Sequence, residues 1–96
     1  MITYSTNWMG PINENWIAKH GDGWSAGRID IRDDTKEGYA GWDEYGVAPM
    51  HSEDWNALSD YLWDLTTEEL LPYNKLIEQF EAHYGKRIRW ADDITN

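Results

Sequence analysis

Apolar and polar positions alternate most clearly over Trp24 to Arg32, where Ile29 and Ile31 fall on one face and Arg28, Asp30 and Arg32 on the other. A period of two residues predicts a half-buried strand. Ile2 to Thr6 reads as a shorter strand, and the Asn7-Trp8-Met9-Gly10-Pro11 stretch behind it has the punctuation of a loop. Asn13 to His20 predicts a brief helix stopped by Gly21. A strand at about Asp43 to Ala48 places Tyr45 and Val47 on one face and is ended by Pro49, while Ile88 and Trp90 predict a last short strand.

The period changes to that of a helix after His51. Ser52 is a good N-cap, Glu53 and Asp54 complement the positive end of a helix dipole, and Trp55, Leu58, Leu62 and Leu65 recur on one face, with Tyr61 and Trp63 on its flanks. This helix is expected to run to about Leu65. A second one begins near Pro72, buries Tyr73, Leu76, Ile77, Phe80 and Tyr84, and closes at Gly85. The elements predict one α+β domain over residues 1–96: a small, mainly antiparallel sheet of three or four strands with two helices packed on one face.

Composition narrows the classes. The 96 residues are 41% hydrophobic and include seven Trp and six Tyr, enough for a packed core and too many for a disordered chain. With no cysteine there is no disulfide framework, thiolate metal site or thiol nucleophile. The N-terminal MITYSTNWMG has no basic region followed by an apolar run, and no stretch approaches the ~20 apolar residues of a membrane span, so neither secretion nor membrane insertion is expected. Trp55, Trp63 and Trp90 are expected to fill the core. Trp8, Trp16, Trp24 and Trp42 fall in loops or at strand ends, and Trp8 or Trp42 is a candidate exposed contact.

Charge adds a functional direction. Eighteen acids against eight bases give a formal −10, which opposes direct binding to nucleic acid or anionic membrane and favours a basic protein surface. The acidity is regional: Asp33 to Glu81 holds thirteen acids against Lys36 and Lys75. On the first long helix Glu53, Asp60 and Asp64 lie within roughly 40° of one line, opposite Trp55, Leu58 and Leu62, at rises of ~10.5 and ~6 Å. Glu68 and Glu69 prolong the series, and Asp33, Asp34, Glu37, Asp43 and Glu44 form neighbouring acidic loops. The face reads either as a partner-binding surface or as an ordinary solvated helix side. Its lack of interleaved Lys favours the first, because like charges four residues apart destabilise a helix by ~0.2–0.5 kcal/mol.

A second candidate is the sheet face carrying Arg28, Arg32, Arg87 and Arg89, to which an unbroken strand adds Trp24. Arginine beside an aromatic ring can hold a phosphate or a stacked base, so Trp24, Arg28, Arg32 and Arg89 form an alternative small-molecule or nucleotide face. The simpler expectation is that these arginines pair with Asp30, Glu44, Asp92 or Asp93. His20, His51 and His83 have no metal-ligand spacing, Asp30-Asp33-Asp34-Glu37 lacks the pattern of a calcium loop, and no GxSxG, phosphate loop or GxGxxG occurs. No metal, cofactor or catalytic residue is therefore expected, and nothing in the pattern speaks to oligomeric state.

Three segments, Tyr4-Ser5-Thr6-Asn7-Trp8-Met9-Gly10-Pro11, Trp24-Ser25-Ala26-Gly27-Arg28-Ile29-Asp30 and Pro49-Met50-His51-Ser52-Glu53-Asp54-Trp55, resemble small acidic proteins encoded by tailed bacteriophages. The resemblance covers roughly the first two thirds of the chain and carries no active-site residues. It implies the cytoplasm of an infected bacterium. It also implies a class of inhibitors that block host nucleic-acid enzymes, including anti-restriction and anti-CRISPR proteins, with assembly of the virion as a further alternative. Joined to the acidic face, it leads to the expectation of a nucleic-acid mimic that occupies a basic surface of a host defence or DNA/RNA-processing complex.

Overall fold

The fold, obtained as a computed structural model, is described for residues 1–35 and 41–91. These form β1 (Ile2–Pro11), α1 (Glu14–His20), β2 (Trp24–Asp33), β3 (Asp43–His51), α2 (Ser52–Trp63), β4 (Thr66–Thr67) and α3 (Tyr73–Tyr84). The sheet is antiparallel in the order β3-β2-β1-β4. Helices α2 and α3 cover one face, and the core between them joins Ile2, Tyr4, Ile29 and Met50 from the sheet to Trp55, Leu58, Leu62, Leu76 and Phe80 from the helices. The expected α+β architecture is the one found.

Two glycines set how closely the helices approach. A β-carbon on Gly27 would lie 2.2 Å from the Trp55 ring, and one on Gly46 would lie 2.7 Å from Tyr73. Each aromatic ring thus packs directly against bare backbone, in space that only glycine leaves open.

Several boundaries differ from the sequence reading, each for a local reason. β1 runs through Asn7–Pro11, where a loop was expected, because a bulge between Trp8 and Gly10 absorbs the irregularity and Gly10 takes a positive φ of 118°. β3 passes through Pro49 to His51: it borders the sheet, where a missing N–H can face outward, and the Pro49 carbonyl accepts a bond from the Ala91 N–H at 3.1 Å. The N-cap of α2 is His51, whose Nδ1 accepts from the Glu53 N–H at 3.2 Å, and Ser52 is already helical with its hydroxyl 2.6 Å from that of Ser25. α2 ends at Trp63 and not Leu65, because the chain turns to place Thr66 and Thr67 beside Thr3 and Ile2 as β4. The expected Ile88–Trp90 strand reduces to a single bridge between Trp90 and Met50.

The tryptophans also redistribute. Trp55 is buried, but Trp63 is 74% exposed, on the side of α2 away from Leu58 and Leu62. Trp16, expected at a loop or strand end, is instead buried in α1, its ring 4.5 Å from Trp24 and 4.3 Å from His20. Trp8 and Trp42 are exposed.

Candidate functional site

The direction of α2 decides which acids meet. β3 ends at His51 and α2 begins at Ser52, so the helix starts at the end of the sheet where His51 pairs with Trp24. It finishes beside β4, which pairs with Ile2; Ile2 pairs in turn with Asp33, and Asp43 lies opposite Ile31. The C-terminal turn of α2 therefore stands at the same end of the molecule as the end of β2 and the start of β3. That pole carries Asp33, Asp34, Asp43, Glu44, Asp60, Asp64, Glu68 and Glu69, which is most of the acidic set expected from the sequence. Glu37 lies outside the described residues.

Glu53 is the exception. It sits in the first turn of α2, about 16 Å along the axis from Asp64, and forms an ion pair with Arg89 at 3.4 Å. The expected line of Glu53, Asp60 and Asp64 is thus divided, with its first member at the opposite pole, sharing Arg89 with Asp54.

Within the acidic pole, some charges are already engaged. Asp33 accepts bonds from the Thr35 N–H and hydroxyl at 2.9 and 2.6 Å, and Asp34 pairs with Arg32 at 3.3 Å. Asp43, Asp60, Asp64, Glu68 and Glu69 are exposed and form no ion pair among the described residues. The placement of Asp60 and Asp64 is electrostatically adverse. They occupy the last turn and C-cap of α2, which has no base in its last turn, so two carboxylates meet the negative end of the helix dipole.

Asp60 and Asp64 also border an open cleft of about 530 Å³ between α2 and α3. Ala57, Leu65, Tyr61, Phe80, His83 and Tyr84 line the rest of it. Tyr61 is held by a 2.7 Å bond from Gln79 Nε2 to its hydroxyl, with its ring 5.5 Å from Phe80 and 4.8 Å from His83. A floor of aromatic and aliphatic carbon with two carboxylates on the rim suits a lysine or arginine side chain, whose stem packs on the rings while its charge meets the acids. The carboxylate spacing was readable from the sequence, but the aromatic wall was not, because it needs α3 beside α2.

The arginine face forms only in part. Trp24, Arg28 and Arg32 keep the same parity along β2, opposite Ile29 and Ile31, but Trp24 is packed against Trp16 and against His51 at 5.0 Å. Arg28 bonds Asp30 through Nε at 2.8 Å and Nη2 at 3.2 Å, while Asn7 donates to the same carboxylate. Arg89 does not join them, since it lies outside the named strands and turns its guanidinium to Asp54 and Glu53 on α2. Arg87 likewise lies outside the strands. Pairing of Arg28 with Asp30 matches the simpler expectation; Asp92 and Asp93 lie outside the described residues.

No family model, curated protein or solved structure matches this chain. Among the described residues, no helix is long and apolar enough to cross a membrane, and no group of three or more His, Asp or Glu is arranged to hold a metal ion.

Proposed function

We propose that this protein is an acidic binding protein that occupies a basic, nucleic-acid-binding surface of a partner and so inhibits it. One observation carries the reading: α2 terminates in Asp60 and Asp64, uncompensated by any base in its last turn, at the pole where Asp43, Glu68 and Glu69 also stand exposed. Folding alone favours cations at a helix C-terminus. Carboxylates kept there at a cost to the helix have their reason in what they meet outside it, as with other local rules broken at functional sites. The resemblance to small phage proteins supplies the context, a host DNA- or RNA-processing or defence complex in an infected bacterium, inhibited in the manner of anti-restriction or anti-CRISPR proteins.

The nucleotide-binding alternative is weaker, because Trp24 is covered by Trp16 and Arg28, Arg32 and Arg89 each already face a carboxylate. The test is capture of partners from bacterial lysate on immobilised protein at low and high salt. A basic nucleic-acid-binding protein retained at low salt, released at high salt and displaced by competing DNA or RNA supports the proposal. Retention unaffected by salt and by nucleic acid overturns it.

A further inference from the structure

We infer that the cleft between α2 and α3 is an arginine pocket, which receives one guanidinium side chain of the partner with its stem on Tyr61 and its charge between Asp60 and Asp64. The inference rests on the proposed function for the existence of a basic partner. It adds the contact that seats that partner.

Packing builds the cleft before any charge is considered. Ala57, Asp60, Tyr61 and Asp64 recur at intervals of three and four along α2, on a stripe beside the buried Leu58 and Leu62. Phe80, His83 and Tyr84 form the facing stripe of α3 by the same spacing. The space they enclose, about 530 Å³, falls within the ~300–1,000 Å³ of ordinary ligand sites. Its rings are already fixed. Gln79 Nε2 donates to the Tyr61 hydroxyl at 2.7 Å and the His83 ring lies 4.8 Å from that of Tyr61, while Tyr84 donates to Asp54 at 2.7 Å and stacks on Phe80 at 5.0 Å. A wall held in this way need not be ordered when a ligand arrives.

The mixture of carbon floor and carboxylate rim selects the occupant. An anion is repelled by Asp60 and Asp64, and a purely apolar group would cover them without pairing them. A cation on an apolar stem satisfies both parts. The chain itself gives an instance on the same wall, where Lys86 Nζ stands 4.7 Å from the centre of the Tyr84 ring. No described base pairs with Asp60 or Asp64, so their charge is left for a group from outside. Between the two cationic side chains, arginine fits better. The two carboxylates stand ~6 Å apart along the helix axis and offer two acceptors. A guanidinium presents five N–H donors in a flat fork, stacks on aromatic rings and is weakly hydrated, whereas an ammonium is a compact, strongly hydrated point charge. Arginine is also among the side chains that most often anchor an interface from a pocket.

Amide correlation NMR of the full chain, titrated with N-acetyl-arginine amide, N-acetyl-lysine amide and the uncharged N-acetyl-citrulline amide, tests the pocket without the partner. The arginine compound should give saturable shifts at Ala57, Tyr61 and His83, with a dissociation constant of about 1–10 mM, and should bind tightest of the three. Tyr61→Leu and Asp64→Asn should each weaken it about two- to fivefold. Asp64 is exposed, so Asp64→Asn keeps the test whole even where Tyr61→Leu loosens the packing of α2 on α3. No saturable shift in the cleft, equal binding of the lysine or citrulline compound, or unchanged affinity in both variants overturns the inference. The two readings fail separately. Arginine bound in the cleft with no salt-sensitive partner in the lysate would keep the pocket and remove the proposed function. A basic partner retained equally by wild type and Tyr61→Leu, with no arginine bound, would keep the function and remove the pocket.

Discussion

The carboxylate of Asp54 and the guanidinium of Arg89 meet at the start of α2, tying the end of the described chain to the helix. Asp54 is fully buried, and Arg89 reaches it through its backbone N–H at 2.9 Å, Nε at 3.1 Å and Nη2 at 3.1 Å, while the Tyr84 hydroxyl donates at 2.7 Å. The aspartate therefore joins α2, α3 and the segment after α3 in one network. Replacing it by Asn keeps the shape but turns an N–H pair toward donors. Asp54→Asn is expected to cost about 1–3 kcal/mol and Tyr84→Phe about 1 kcal/mol in urea unfolding. Loss of less than about 0.5 kcal/mol in both would show that the network contributes nothing to stability.

The same network sets an acid limit. Burial by itself would raise the carboxyl pKa of Asp54, but bonds from the Arg89 side chain and backbone and from Tyr84 outweigh it and hold the group below its ordinary value. A lowered folded-state pKa means that the folded protein binds fewer protons than the unfolded one. The resulting stabilisation is whole above the unfolded-state pKa of about 3.9 and is lost as pH falls through the lower folded value. The stability difference between wild type and Asp54→Asn should thus shrink below about pH 4. A difference independent of pH across that window would contradict the assignment.

Gly27 and Trp55 offer a test of the packing. A methyl group at Gly27 has no room beneath the indole, so Gly27→Ala is expected to destabilise by about 1–3 kcal/mol through overpacking. Trp55→Ala removes a buried aromatic and is expected to cost about 3–5 kcal/mol. Combined, the two changes should cost less than their sum, because the added methyl enters the space the ring leaves. Strict additivity in a double-mutant cycle would mean that the ring does not lie on Gly27.

How far the sequence disclosed this fold depended on whether a residue's role is local. The faces of α2 and β2 follow from spacing alone, and Leu58, Leu62, Ile29 and Phe80 are all buried as their periodicity requires. Asp54 carried a signal that was read another way: it precedes Leu58 and Leu62 at intervals of four, on the buried stripe, yet an acid in a first turn also suits the dipole. Trp63 was misjudged because size and hydrophobicity argued for the core, against a phase that points it outward. The strand content of Asn7–Pro11 was hidden because turn-forming residues also build a bulge, and only pairing with Gly27 and Ala26 distinguishes the two. For the acidic set, composition located the charge, but dividing Glu53 from Asp60 and Asp64 required the direction of α2 and the position of Arg89.

Tyr45 should respond at the alkaline end. Its hydroxyl is buried with no hydrogen-bond partner among the described residues, and burial, with a smaller contribution from nearby Tyr4, pushes its pKa up to about 12. Here the folded state holds the proton more tightly than the unfolded one. Its contribution is therefore whole below the unfolded value of about 10 and declines as pH rises from there towards about 12. Tyr45→Phe should remove that decline and, by deleting an unsatisfied hydroxyl, leave stability at neutral pH equal or up to about 1 kcal/mol higher. A loss of more than about 1 kcal/mol at neutral pH would mean that the hydroxyl has a partner.

The decisive change for the proposed function is reversal of charge at the end of α2. Asp60→Lys and Asp64→Lys together place cations where the helix dipole favours them and remove two carboxylates that no described base neutralises. Each substitution is expected to stabilise the isolated protein by about 0.3–1 kcal/mol, measured by urea unfolding. Both side chains are exposed, away from Leu58 and Leu62, so the core is undisturbed. Binding to a basic partner should move the opposite way, because like charges set against one another at an interface cost several kcal/mol and slow association. Glu53 is left in place, since its exchange would also break the contact with Arg89 and confuse a folding effect with a binding one. A variant that is both more stable and defective in retaining the salt-sensitive partner is what a surface kept for binding at the expense of folding predicts. A variant that is more stable and binds as before would place the contact elsewhere and leave the carboxylates of α2 as a solvated helix end.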